Sequence, residues 1–316
     1  MAMPLVETKN LKKYFKTGAG MLHAVEDVNL KIMPGKTLGV VGESGCGKST
    51  LGRTILRLQP ATAGEVLYNG ENILKYKGKD MQKIHLNMHM VFKDPYSYLD
   101  PRMSVHNLIA EPVQVCGLLK TKAEINEHVR EIMDMCGLPA DQANLFPHEL
   151  DGGLRQRVGL ARAMAVSPKF IVCDEPVSAL DVSIQAQILN LLMDLQEQRE
   201  LSYMFITHDL CVVKHISDEI MVMYMGQVVE HAKTAELFAN PVHPYTKALL
   251  HAVPTIDLSK RNREGFMLRG EVTSPINPAP GCRFAPRCPY ATDKCKENVC
   301  LKEVSPDHFV ACSLCD

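Results

Sequence analysis

The sequence predicts an α/β fold with a helical insertion and a small cysteine-rich module near its C-terminal end. Three observations predict it. Gly42 to Ser49 reads GESGCGKS, a fit to the phosphate-loop pattern G-x-x-x-x-G-K-S/T, and it follows the apolar run Leu38–Val41. Fully apolar runs at Phe170–Cys173, Tyr203–Thr207 and Ile220–Tyr224 mark further strands, and a helix carrying Ile184, Ile188, Leu191, Leu192 and Leu195 separates the first two. That alternation argues for a parallel sheet covered on both faces. Finally, six of the 11 cysteines crowd into the last 35 residues.

The elements follow in chain order. Short strands are expected at Leu5–Thr8 and Val28–Ile32, with turns at Pro34-Gly35 and Asn69-Gly70. The helix after the glycine loop should start near Lys48. From about residue 94 to 165 the pattern turns helical. Thr121 and Glu124 form a capping box, and Ile125, Val129, Ile132, Met133 and Cys136 then fall on one helix face. From about Val253 the chain becomes rich in Pro, Gly and Cys, so the expected domains are 1–252 and 253–316. The chain shows no internal repeat or low-complexity tract.

Composition narrows the class. A formal net charge of −1 gives no global basic field for nucleic acid, so no nucleic-acid partner is expected. No apolar run approaches the roughly 18–20 residues of a membrane helix, and MAMPLVETKN lacks a signal-peptide layout. The expectation is a chain that neither spans nor crosses a membrane by itself, so any transport role comes through partners. Cys46, Cys116, Cys136, Cys173 and Cys211 are scattered and read as small core residues.

The loop chemistry explains its spacing. Gly42, Gly45 and Gly47, with Glu43, Ser44 and Cys46 between them, let backbone N–H groups curl around phosphate oxygens at a helix N-terminus. Lys48 reaches the β- and γ-phosphates of ATP, Ser49 offers a hydroxyl to Mg²⁺, and Thr50 completes the site. Next comes LDGGLRQRVGLARAM, a Gly-Gly turn opening a basic helix, and then FIVCDEP. Acids at the carboxyl end of a parallel strand face the nucleotide crevice, so Asp174 is expected to hold Mg²⁺ through water and Glu175 to polarise the attacking water. Alone, Asp-Glu reads as a solvated turn; downstream of a phosphate loop it reads as catalytic. His208 ends another apolar strand, placed to touch a γ-phosphate or orient the water, although a lone strand-end histidine is more often structural. Asp181 is expected at a subunit contact, and a helix N-cap is the plainer reading of the same residue. Phe15 is the candidate to stack on adenine, with Tyr14 its neighbouring alternative.

Together these motifs resemble the nucleotide-binding subunit of an ABC transporter, over essentially the whole chain. GESGCGKSTLGRTILRL, DPYSYLDPRM and NPVHPYTKALL look like the oligopeptide/dipeptide (and nickel) permease branch. Within that branch LGRTILRL resembles the second of two non-identical ATPase subunits. The resemblance implies a P-loop ATPase core with an antiparallel β subdomain and a helical subdomain, at the cytoplasmic face of the membrane. It also implies ATP hydrolysis coupled to peptide import, a second ATPase subunit, two transmembrane permease subunits and an extracytoplasmic substrate-binding protein. Nickel is the alternative cargo. The rival classes are a soluble ABC-type regulator, which a second cassette or long coiled coil would favour, and a largely structural subunit that binds ATP but barely turns it over.

Two departures from the family pattern matter. Lys93 stands where the family has Gln, in MVFKDPYSYLDPRM; a cation there competes with Mg²⁺ or binds phosphate itself. Asp151 replaces the Ser of the LSGGQ signature, and Leu154 its Gln, while Gly152 and Gly153 persist. In this family the signature helix points at the γ-phosphate held by the opposite subunit. Asp151 still caps a helix, but it then faces a polyanion, and two like charges about 4 Å apart at an effective dielectric of 20 repel by roughly 4 kcal/mol. The implied dimer is asymmetric: the site using Glu175 hydrolyses and the other is impaired.

Cys282, Cys288 and Cys295 occur as C-x5-C-x6-C, with Cys312 further on. CRFAPRCPYATDKC and the later VAC resemble the tail of this importer branch, where four cysteines hold an iron–sulfur cluster of the 4Fe–4S type. Zn²⁺ in a four-thiolate site and free thiols are the alternatives, and Cys300 and Cys315 leave open which cysteines bind.

Overall fold

The computed structural model describes residues 3–252, 274–297 and 299–315. The expected module boundary at Val253 lies outside the described residues. In chain order the first elements are β1 (Val6–Thr17), β2 (Gly20–Ile32), β3 (Thr37–Val41), α1 (Lys48–Ile55), β4 (Ala63–Tyr68) and β5 (Glu71–Asn72). Then come α2 (Gly78–Asn87), β6 (Met88–Val91), α3 (Val105–Val115), α4 (Lys122–Met135), α5 (Gly152–Met164), β7 (Phe170–Asp174), α6 (Val182–Arg199) and β8 (Ser202–Ile206). The last are α7 (Leu210–Ile216), β9 (Glu219–Tyr224), β10 (Gln227–Lys233), α8 (Thr234–Ala239), α9 (Pro244–His251), β11 (Lys302–Ser305) and β12 (His308–Val310).

The chain forms two compact units. One holds Pro4–Lys31, Thr37–Leu74 and the described residues from Thr207 onward; the other holds Ile32–Lys36 and Lys75–Ile206. In the first unit, β2, β1, β4 and β5 lie side by side in one sheet, with β4 antiparallel to both β1 and β5. This is the antiparallel sheet the family resemblance implied. The first two strands are longer than expected, at 12 and 13 residues. Exposed Lys9 and Asn10 stand between buried Val6 and Leu11, so the apolar run breaks while the strand continues.

The same unit carries a second set of strands in the order β11, β12, β10, β9, β3. β3 runs parallel to β9, but β10 pairs antiparallel with both β9 and β12, and β11 with β12. The expected strand at Ile220–Tyr224 is thus parallel to β3 as predicted, and the antiparallel strands are ones the apolar runs did not mark. Gln227 pairs directly with Tyr224, so Met225 and Gly226 form a two-residue turn, with φ of 44° and 84°. A turn that short returns the chain antiparallel. Buried Val41, Val213, Val222, Tyr224, Tyr245 and Phe284 form the core beneath these strands.

In the other unit β6, β7 and β8 are parallel neighbours, in register Val91↔Cys173 and Cys173↔Phe205. All five residues of β7 are buried, as a parallel strand covered on both faces requires. The expected capping box at Thr121 and Glu124 is present in both directions, and Ile125, Val129, Ile132 and Met133 form the buried face of α4. Of the scattered cysteines, Cys46, Cys136 and Cys173 are buried as expected, whereas Cys116 and Cys211 are exposed. Cys116 stands at the C-cap of α3 and Cys211 in the first turn of α7, where a small side chain faces outward.

Candidate nucleotide site

β3 is buried at all five positions and delivers the chain into the glycine loop. Gly42 and Gly47 have φ of 150° and 104°. A Cβ on Gly42 would sit 2.2 Å from the Met223 carbonyl oxygen, and one on Gly47 would sit 2.0 Å from that of Ala24. Only glycine fits these close backbone approaches. The loop closes into α1 through the Gly47 carbonyl, which accepts from Leu51 N–H at 2.9 Å.

Lys48 is buried. Its Nζ donates to the carbonyl oxygens of Gly42 at 2.7 Å and Glu43 at 3.0 Å, so the ammonium lies inside the curve of the loop. Cys46 lies 3.7 Å from that ammonium, and burial pushes its thiol up despite the cation. Ser44 and Gly45 form the exposed tip, while Ser49 and Thr50 are half-buried on the first turn of α1.

Glu43 is held at every polar group. Its N–H donates to Tyr245 Oη at 2.8 Å, its carbonyl accepts from Cys46 N–H at 3.3 Å as well as from Lys48, and its carboxylate accepts two bonds from Arg287. Hydrogen bonding to Glu43 pushes the Arg287 pKa further up. Sequence reasoning missed Tyr245 and Arg287. The signal was present in CRFAPRC, where two arginines sit among cysteines, but the thiols dominate a reading of that stretch.

His208 is exposed just beyond the β8 strand end, and Asp209 beside it caps α7 by accepting from Cys211 N–H at 2.7 Å. Phe15 is half-buried on β1 with Lys13 Nζ 4.6 Å from its ring centroid. Tyr14, its alternative, is engaged: its ring stacks on His23 at 4.0 Å and its hydroxyl donates to Glu26. Glu26 also accepts from His23 and from Arg283 at 3.0 Å. Burial pushes the Glu26 carboxyl upward, but the bonds from Tyr14, His23 and Lys12 and the Arg283 charge outweigh it and hold it at about 2.

In the other unit the acids stand where β7 ends. Asp174 is buried, and Glu175 N–H continues the ladder to the Ile206 carbonyl at 2.9 Å. Glu175 has a φ of 48°, a left-handed turn that ends the strand. Lys93 Nζ sits 2.7 Å from Glu175 Oε2, and the glutamate side chain is 11% exposed. Register explains the meeting: Val91 pairs with Cys173, so Lys93 and Glu175, each two residues beyond that pair, share one end of the strands. Lys93 is thus paired with the candidate catalytic acid.

The signature turn is local and complete. Asp151 caps α5 by accepting from Leu154 N–H at 2.8 Å, and Asp181 caps α6 by accepting from Ile184 N–H at 3.0 Å. The two caps are neighbours. A Cβ on Gly153 would meet Ile184 Cγ2 at 2.6 Å and one on Gly152 would meet Leu180 Cδ2 at 3.2 Å. The glycines let the two helix starts approach.

In the tail, Cys282 N–H donates to the Cys295 carbonyl at 2.8 Å, and Cys295 Sγ lies 3.2 Å from Ser313 Oγ. Burial raises the Cys282 and Cys288 thiols, and the proximity of Cys295 and Cys312 adds to it in both. Among the described residues no group of three or more His, Cys, Asp or Glu side chains is arranged to hold a metal ion. No described helix is long and apolar enough to cross a membrane.

Comparison with known proteins follows the same lines. Residues 25–178 match the family described as ABC transporter, and residues 229–295 match the oligopeptide/dipeptide transporter C-terminal region. The oligopeptide transport ATP-binding protein AppF of Bacillus subtilis (strain 168) is 46% identical, over 98% of this chain and 97% of the relative. OppF, an oligopeptide transport ATP-binding protein of the same organism, is 48% identical over 99% and 97%. Among solved structures, the ATP-binding cassette MJ0796, a dimer bound to ADP and Pi in a post-hydrolysis state, superposes with a TM-score of 0.67. It is 30% identical, over 72% of this chain and 98% of the cassette.

Proposed function

Because the chain belongs to the ATP-binding subunits of ABC transporters, of the oligopeptide/dipeptide type, we propose that its ATP hydrolysis drives import of peptides through a membrane permease. The observation that carries this is the coincidence of a phosphate loop built around buried Lys48 with relatives named for oligopeptide transport along nearly their whole length.

The roles follow from chemistry. Gly42 to Thr50 cradle the phosphates of ATP, with Lys48 on the β- and γ-phosphates and Ser49 on Mg²⁺. Asp174 serves Mg²⁺ through water, Glu175 is the general base, His208 meets the γ-phosphate or the water, and Phe15 stacks on adenine. Asp151, Gly152, Gly153 and Asp181 serve the nucleotide of a second ATPase subunit. Two permease subunits and an extracytoplasmic binding protein complete the assembly, with this chain peripheral on the cytoplasmic face. Residues 1–252 form the nucleotide-binding domain and 253–316 the cysteine-rich module.

Cys282, Cys288, Cys295 and Cys312 are the donors for a 4Fe–4S cluster, with Zn²⁺ as the alternative. The support is the donor type, since four thiolates suit either group; among the described residues they are not arranged around a metal position. The group would supply a covalent brace for the tail.

One observation favours a second reading. Lys93 paired to Glu175 occupies the base, which is how a subunit that binds ATP but turns it over slowly would look. The deciding experiment is ATP turnover of the chain alone and with its second ATPase subunit and permease, beside Glu175→Gln. Turnover that appears only in the complex and is lost with Glu175→Gln supports the working subunit. Turnover indifferent to Glu175→Gln assigns the chemistry to the partner.

A further inference from the structure

A side chain of the cysteine-rich tail, Arg287, reaches the phosphate loop. Arg287 is one residue from Cys288, and it donates from Nη1 to Glu43 Oε2 at 2.7 Å and from Nη2 to Glu43 Oε1 at 3.1 Å. This is the two-pronged geometry in which a guanidinium matches a carboxylate best. The pair is shielded, with the Arg287 side chain 7% exposed and that of Glu43 25%. An aromatic triad lies beside the guanidinium: Tyr224, Tyr245 and Phe284 pack with centroids 4.8 to 5.4 Å apart, and the guanidinium carbon lies 5.9 Å from the Tyr224 centroid. Tyr245 from that triad also holds Glu43 N–H.

A carboxylate at the second position of a phosphate loop is an electrostatic liability. The ligand is a polyanion, and an unpaired Glu43 would repel it at short range in a partly desolvated site. We propose that Arg287 is a positioning residue for the nucleotide: it neutralises Glu43 and, with Tyr245, sets the loop backbone, so ATP affinity depends on the tail. The inference rests on the reading that Gly42–Ser49 binds the phosphates of ATP.

The test is a titration of the purified full chain with a fluorescent ATP analogue (mant-ATP) and Mg²⁺. Arg287→Gln should weaken binding roughly tenfold, by exposing the Glu43 charge. Glu43→Gln alone should lose less than Arg287→Gln, since it removes the charge that Arg287 covers. The Glu43→Gln/Arg287→Gln pair should recover to within about threefold of wild type, since neither charge remains. Arg287→Lys, which keeps the charge on a similar stem, should lose less than Arg287→Gln and keeps the comparison open should the Gln variant misfold. In the assembled transporter the effect should fall on KM and spare kcat.

Wild-type affinity in Arg287→Gln would overturn the proposal. So would a double variant as weak as Arg287→Gln, because the defect would then be a damaged tail and not an exposed charge. Lys48→Ala is the separate control: unchanged affinity there would sink the reading of the loop itself, whatever Arg287 does.

Discussion

Lys93 Nζ and Glu175 Oε2 meet at 2.7 Å across the ends of two parallel strands, β6 and β7. The lysine is 59% exposed, so the contact is reachable by solvent and reversible. A base must accept a proton, and a cation on its oxygen lowers its readiness to do so. Glu175→Gln should therefore cost at least about 100-fold in turnover while leaving ATP binding intact. Lys93→Gln should raise turnover about threefold, matching the roughly 0.2–1 kcal/mol of a part-exposed pair. Steady-state phosphate release by the assembled complex checks both, and a fall with Lys93→Gln would show that the lysine assists the reaction.

Asp151 separates capping from charge. Serine is an equally good N-cap, so Asp151→Ser should change thermal stability by less than about 0.5 kcal/mol. Removing the carboxylate should nevertheless tighten ATP-driven association with the second ATPase subunit, most clearly at low salt. Asp151→Ala should lose about 1 kcal/mol because Leu154 N–H loses its acceptor. Calorimetry and analytical ultracentrifugation read the two effects separately.

The loop tolerates no side chain at Gly47. With φ at 104° and the Ala24 carbonyl oxygen 2.0 Å from where a Cβ would stand, Gly47→Ala combines backbone strain with a clash. A loss of about 3 kcal/mol in unfolding free energy is expected, along with loss of mant-ATP binding. Gly45→Ala meets nothing within 4 Å and carries only the strain of φ 79°, so it should cost less. Thermal melts and mant-ATP titration of the two variants side by side check the contrast.

His243 sets an acid limit. It is 1% exposed, its ring nitrogen caps α9 by accepting from Tyr245 N–H at 3.1 Å, and burial, helped by Lys247, lowers its pKa to about 4. In the unfolded chain it takes a proton near pH 6.5, so between about 6.5 and 4 the unfolded state binds more protons. Stability should fall as the pH drops through that window, by up to about 3 kcal/mol, and level off below it from this residue. His243→Asn should flatten that limb in pH-dependent thermal melts.

The tail's cofactor is a direct analytical question. Anaerobic purification should yield about four iron and four sulfide per chain with charge-transfer absorption near 400 nm, and Cys288→Ser should lose most of both. One zinc per chain without sulfide would assign the site to the alternative metal.

Much of this was legible in the sequence because the signals are local. The glycine loop, the Thr121 capping box and the Asp151 and Asp181 caps each lie within a few residues, and all appear where the pattern puts them. The hairpin at Met225-Gly226 was missed because the apolar runs did not mark its second strand. The partners of Glu43 were missed for a different reason. Tyr245 and Arg287 lie 202 and 244 residues away, and a single long-range pairing leaves no periodicity to detect. Lys93 fell between these cases: its oddity was visible, its partner was not.

The distance from Glu43 to Arg287 also has a meaning in time. A ribosome adding about 5–20 residues per second completes the loop long before the arginine exists, leaving an interval on the order of 10–50 s. During that interval the growing chain carries Gly42 to Ser49 with the Glu43 carboxylate still uncovered. On the proposal that Arg287 neutralises Glu43, the loop would become fit for a polyanion only after that distant arginine is made and folded against it.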